Sequence, residues 1–105
     1  MIAWLYLLIA GALEVGWALG LKYSEGFTKV VPSVLTLVGM AASGVFLALA
    51  VQKLPLGTAY AIWTGIGAVG TVILGMILFG EPVAPMRVFF IALIVSGIVG
   101  LKFVS

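Results

Sequence analysis

The sequence predicts an all-α integral membrane protein whose four short transmembrane helices run up, down, up and down. Three observations carry this expectation. Hydrophobic residues make up 65% of the 105 residues, for a mean hydropathy of +1.41. Charged residues make up only 8%, against about a quarter in soluble domains, so the chain lacks the polar surface to cover a water-facing exterior. The charges also divide the chain into four apolar runs, each close to the ~20 residues that cross about 30 Å of hydrocarbon. A chain of this length holds one domain.

The first span is expected at 2–21, an apolar run broken only by Glu14. Ala10-Gly11-Ala12 resembles the cleavage site of a secretory signal. No Lys or Arg precedes the run, however, and it continues to Leu21, so it reads as a span and not as a leader. The second span is expected at 30–51, with Pro32 in its first turn, where the missing N–H is no loss. The third, 58–80, carries no charge. The fourth runs over 85–104 if Arg87 and Lys102 snorkel to the interfaces. The connections, 22–29, 53–57 and 81–84, hold the glycines, prolines and charges of loops and are short enough to make neighbouring helices antiparallel.

The composition also excludes much. With no Cys and no His there is no disulfide, thiol catalysis, zinc site or imidazole acid–base chemistry. No nucleophile–base pair or metal set can be assembled, so an enzyme is not expected, nor a bound cofactor or metal. A net charge of +2 is too small for a nucleic-acid footprint.

Small residues recur four apart on three spans: Ala12, Gly16 and Gly20; Gly67, Thr71 and Gly75; Ala92, Ser96 and Gly100, with Gly97 beside the last set. Such stripes let helix backbones approach closely in lipid, where packing replaces the hydrophobic drive. Packing within the monomer is expected for the first two sets. The fourth helix has no buried polar group or aromatic cluster to turn inward, so its stripe is the better dimer interface.

Basic residues are balanced across the membrane. Lys53 and Lys102 fall on one side, Lys22, Lys29 and Arg87 on the other, which supplies no clear positive-inside signal. Copies can then insert both ways and pair as an antiparallel, dual-topology homodimer.

Glu14 is the most informative residue. A charge at mid-span costs at least about 2.5 kcal/mol. Glu14 is the only ionisable carboxylate within the three runs free of end cations, and no other side chain of the spans offers it a cation. Its partner must come from outside: a proton, a substrate cation, or each in turn. The bland reading is a protonated structural acid. Trp17 and Ala18 share its helix face, with Ala10 and Gly11 one turn the other way. Tyr60, Trp63, Thr64 and Gly67 form one stripe of the third helix. Trp4 and Tyr6 suit a membrane interface, but Trp17 and Trp63 lie deeper, where an indole N–H wants an acceptor and a carboxylate is the nearest available. Ser43, near mid-span of the second helix, either bonds back to its own helix or serves the site.

Gly65-Ile66-Gly67-Ala68-Val69-Gly70 matches the G-x-G-x-x-G dinucleotide pattern, but inside an uncharged membrane span it lacks the strand–turn–helix context that pattern needs. Gly65 and Gly67 read instead as a hinge beside the aromatic stripe, or as close packing alone.

Glu14-x-x-Trp17-Ala18, the loop KYSEGFTK, the turn Leu54-Pro55-Leu56-Gly57 and the stretch GTAYAIWTGIGAVG resemble the small multidrug resistance family over the whole chain. Trp17-Ala18-x-x-Leu21-Lys22 and the ending Gly100-Leu101-Lys102 are similar to its guanidinium-exporter branch; the polyaromatic-cation branch usually has a small residue at the position of Trp17. The resemblance implies an antiparallel homodimer in a bacterial inner membrane that exchanges protons for guanidinium. It carries a substrate-site role to Glu14, Trp17, Ser43, Tyr60 and Trp63, and a dimer-packing role to the fourth helix. Two other readings stand beside it: a broader exporter of quaternary ammonium or aromatic cations, and a non-transporting structural or regulatory subunit.

The charge balance gives a direct test. A reporter fused to the C-terminus should be found on both sides of the membrane, and a functional population in a single orientation would rule out antiparallel pairing.

Overall fold

The computed structural model describes residues 2–104, which form four helices: α1 (Ile2–Tyr23), α2 (Val30–Ala50), α3 (Leu56–Leu78) and α4 (Pro85–Val104). All four are long and apolar enough to cross a membrane. The third starts at Leu56, directly after Pro55, instead of at Thr58, and ends at Leu78 because Gly80 adopts a left-handed φ of 64°. The first continues to Tyr23. Beyond it Ser24 is fully buried, its hydroxyl donating to the Leu21 carbonyl at 2.8 Å and accepting the Phe27 N–H at 3.2 Å. This clamps a turn in which Glu25, Gly26 and Phe27 all have positive φ.

Glycine notches set the helix contacts. A Cβ at Gly11 would overlap Ile66, one at Gly67 the Glu14 side chain, and one at Gly70 Val15. Numbers rise together along this seam, so α1 and α3 are parallel. Between α1 and α2 the order reverses: Ser43 meets Ala10, Gly39 meets Trp17 and Gly20 meets Thr36. Antiparallel again, α4 leaves Arg87 beside Glu81 just past the end of α3, sets Ile98 and Ile94 against Gly65, and brings Lys102 to Trp4 at the start of α1. Up, down, up, down follows from these contacts. Leu7, Ala50, Ala59 and Ile62 form the buried cluster, with Trp4, Leu47, Trp63 and Ile66 packed around it.

The helices do not close into a round bundle. The molecule is a slab of 40 × 34 × 17 Å with α1 packed against both α2 and α3, while α4 lies outside on α3. None of the residues of α4 is buried. Ala92, Ser96, Gly97 and Gly100 are all exposed, and the Ser96 hydroxyl bonds back to the Ala92 carbonyl at 2.8 Å. The stripe on α3 packs within the monomer, with Gly67 and Gly75 buried. The stripe on α1 corrects the expectation: Ala12 and Gly16 are exposed, and only Gly20 meets a neighbour. Close approach to α3 uses Gly11 instead, because that face of α1 also carries the bulky Glu14 and Val15 that fill the notches opposite.

Gly70→Leu should force Val15 out of its notch and separate α1 from α3. A loss of about 1–3 kcal/mol is expected from overpacking, read as a lower melting temperature in detergent. Gly57→Ala, where nothing lies within 4 Å of the added carbon, should stay within about 0.5 kcal/mol of the parent.

Candidate functional site

Glu14 projects from α1 onto the bare backbone of Gly67 in α3. Any side chain at that position would occupy the volume of the carboxyl group, so the glycine makes the room. Among the described residues three buried side-chain atoms have no hydrogen-bond partner: Glu14 Oε1, Trp17 Nε1 and Thr71 Oγ1. They are not scattered. Trp17 lies one turn beyond Glu14 on the same face of α1, and Thr71 one turn beyond Gly67 on α3. An unmet buried polar group costs about 1–3 kcal/mol, so three of them one turn apart along α1 and α3 mark a candidate site. Neither ion pair among the described residues involves Glu14.

Below this trio a cleft of about 410 Å³ opens between α1 and α3. Its inner end is walled by Ala18 and Thr71, its flank by Gly75 and Phe79, and its mouth by Lys22 and Glu81. Glu14 itself is not in the wall; its carboxyl lies against Gly67, one turn before Thr71 at the inner end.

Ser43 corrects one expectation and resolves another. It is fully buried and donates to the Ala10 carbonyl of α1 at 2.7 Å, so it does not bond back to its own helix. It also accepts the Trp63 indole N–H at 2.9 Å. The acceptor for Trp63 is therefore a hydroxyl and not a carboxylate. This chain of two bonds ties α3 through α2 to the α1 backbone one turn before Glu14. Trp17 does not bond to a carboxylate within the monomer either; its Cβ packs on Gly39 and its N–H is left over. Tyr60 meets Trp63 with ring centroids 5.2 Å apart and planes tilted by 59°, yet it is 54% exposed.

The structure thus brings together Glu14, Trp17 and Gly67, and separately Ser43, Trp63 and Tyr60. Thr71 is the residue that sequence reasoning missed as a polar partner, having counted it only as a small member of a packing stripe. A hydroxyl one turn from a site glycine in an otherwise apolar span was the available signal. Gly65 and Gly67 lie within an unbroken α3 and both are buried, Gly65 under Ile98.

The Ser43 bonds are testable as a unit. Ser43→Ala should lower stability by about 1–3 kcal/mol through the orphaned indole and change Trp63 fluorescence. In a Trp63→Phe background the same substitution should cost less, and strict additivity would mean the two residues are uncoupled.

Comparison with known proteins agrees with this architecture. The family described as Small Multidrug Resistance protein matches residues 2–94. A protein of Yersinia pseudotuberculosis serotype I (strain IP32953) named Guanidinium exporter is 59% identical over 103 residues, covering 98% of this chain and 99% of its own. Proteins of the same name from Escherichia coli (strain K12) and Salmonella typhimurium are 57% and 55% identical over 100 residues, each covering 95% of both chains. Four apolar helices, an unpartnered carboxyl at the centre of the first and a match that runs from α1 into α4 make this chain a member of the small multidrug resistance family of multi-pass membrane transporters.

Proposed function

We propose that this protein exports guanidinium and small guanidinyl cations from the bacterial cell in exchange for protons, as an antiparallel homodimer of the inner membrane. The observation that carries the reading is the cluster of unmet polar atoms around Glu14. Guanidinium is flat, weakly hydrated and made of N–H donors in fork geometry, which suits carboxylate oxygens. Glu14 Oε1 and Thr71 Oγ1 can both accept from it. The relatives named Guanidinium exporter support the same substrate class.

Trp17 narrows the pocket. It follows Glu14 by one turn on the same face of α1, where its ring would give a small planar cation a cation–π contact and collide with a bulky one. Trp17 Nε1 is a donor without an acceptor, and a cation cannot supply one. A carboxylate from a second copy can. The exposed stripe of Ala92, Ser96, Gly97 and Gly100 supports dimer packing through α4, and exposed Tyr60 then faces the shared site with Trp63 and Ser43 behind it.

Two Glu14 carboxylates brought together in low dielectric resist holding two charges at once. Protons and guanidinium therefore compete for one pair. Substrate leaves when protons arrive, and the inward proton gradient drives export. The glycines Gly65 and Gly67 give α3 its point of flexure as access alternates.

Glu14→Gln keeps shape and hydrogen bonding but removes the titratable charge. A folded dimer is expected, with proton-driven guanidinium accumulation in proteoliposomes reduced to background; persisting accumulation would place coupling elsewhere. In the parent, competition sets the sign of the pH effect: guanidinium binding should release protons, and apparent affinity should fall as pH falls.

Trp17→Gly should weaken guanidinium transport by about two- to thirtyfold, since cation–π contacts are worth about 0.5–2 kcal/mol, and should admit larger cations. Comparing guanidinium with a bulky aromatic cation in the same vesicles separates this reading from a broad multidrug exporter. Equal transport of the two by the parent would favour the latter.

A further inference from the structure

The 410 Å³ cleft that leads toward Glu14 has a second carboxylate at its mouth, and that carboxylate already holds a guanidinium group. Leu78 ends α3, Gly80 takes a φ of 64°, and the chain turns back so that the Glu81 N–H reaches the Gly75 carbonyl at 3.3 Å. This lays the Glu81 carboxylate over Gly75, where any side chain would displace it. Arg87 Nη2 then donates to Glu81 Oε1 at 2.8 Å, while Nη1 donates to the Pro82 carbonyl at 3.1 Å. On the facing wall Lys22 Nζ stands 5.6 Å from the centre of the Phe79 ring. Both cation-accepting groups at the mouth, a carboxylate and an aromatic face, are occupied by cations of the chain itself.

We infer that Glu81 is an outer guanidinium site, at which an incoming substrate displaces the Arg87 guanidinium before passing Thr71 to Glu14. The inference rests on guanidinium being the substrate. The Arg87 and Glu81 side chains are 31% and 38% exposed, so the pair is partly hydrated and exchangeable. A free guanidinium presents the same donor fork as Arg87 and meets the same oxygen. Glycine at position 75 and the cap at Gly80 serve this geometry, because both are needed to bring Glu81 against the cleft. In an antiparallel dimer each aqueous face carries one such mouth.

The roles of the two residues are opposite, and that makes the inference testable. Uptake of labelled guanidinium into proteoliposomes under a pH gradient should show KM raised roughly two- to fivefold by Glu81→Gln, the scale of a partly exposed ion pair. Arg87→Gln removes the internal competitor and should lower KM by a similar factor, Arg87→Lys by less, and Glu81→Gln/Arg87→Gln should resemble Glu81→Gln. The shifts should lie in KM more than in kcat and shrink at high ionic strength. Glu25→Gln, which breaks the exposed Lys29–Glu25 pair on the same face, should leave KM in place. If Glu81 and Arg87 variants shift KM in the same direction, the pair is only a strap for the α3–α4 loop. A Glu25→Gln shift equal to that of Glu81→Gln would reduce the effect to general surface charge. Either result overturns the outer site. Failure of the parent to accumulate guanidinium would overturn the substrate as well, whereas normal accumulation with an unmoved KM in Glu81→Gln overturns the outer site alone.

Discussion

A carboxyl group without a partner in the middle of a hydrocarbon span is the constraint around which the rest of this molecule is arranged. Lipid supplies no hydrogen bonds, so the cost of Glu14 cannot be relieved by solvent as it would be on a water-facing surface. The fold does not relieve it either. Gly67 makes room for the group, and the Trp17 indole N–H one turn along α1 and the Thr71 hydroxyl one turn beyond Gly67 are themselves unmet. By contrast, the fold gives a neighbouring set its partners: Ser43 accepts from the Trp63 indole and donates to the Ala10 carbonyl. The same structure thus closes one buried polar cluster and leaves another open, and the open one is where a cation or a proton has something to gain.

Holding such a site rigid in lipid requires close helix contacts, since apolar side chains gain little by leaving lipid for each other. The glycines of α1 and α3 provide them. Gly11 receives Ile66, Gly67 receives Glu14 and Gly70 receives Val15, three successive notches along one parallel seam. Gly20 and Gly39 do the same for α2. The consequence is an asymmetric economy of contact: α1 is held from two sides, while α4 packs on α3 alone, with none of its residues fully buried. The slab is only 17 Å thick, and its cleft is open on one side. That openness, together with a Trp17 donor that only a further acceptor can meet, is why the site is read as one half of a dimeric one.

The cleft extends the same chemistry outward. From Ala18 and the Thr71 hydroxyl it runs to Phe79, Lys22 and Glu81, the last paired with Arg87. Its lining passes from a single hydroxyl at Thr71 to two charged side chains, Lys22 and Glu81. A cation moving through this gradient exchanges water for protein groups in steps and not all at once.

What the sequence by itself determined follows from the solvent and from local periodicity. Eight charges in 105 residues leave only lipid as a surrounding medium, and their positions mark the spans to within a few residues. Glu14 stands out because it is alone in an apolar run, and Trp17 joins it because three residues make nearly one turn. The tertiary structure decided everything that depends on which distant residues meet. The Ser43 hydroxyl crosses to α1 instead of bonding within α2, Thr71 becomes a site atom and not merely a small packing residue, and Ala12 and Gly16 stay uncovered while Gly11 does the packing. The pairing of Glu81 with Arg87 likewise needed the turn at Gly80 to be seen. Periodicity states which residues share a face of one helix, but the rotation and slide of one helix against another are set by how side chains fill glycine notches, and those are properties of the assembled seam.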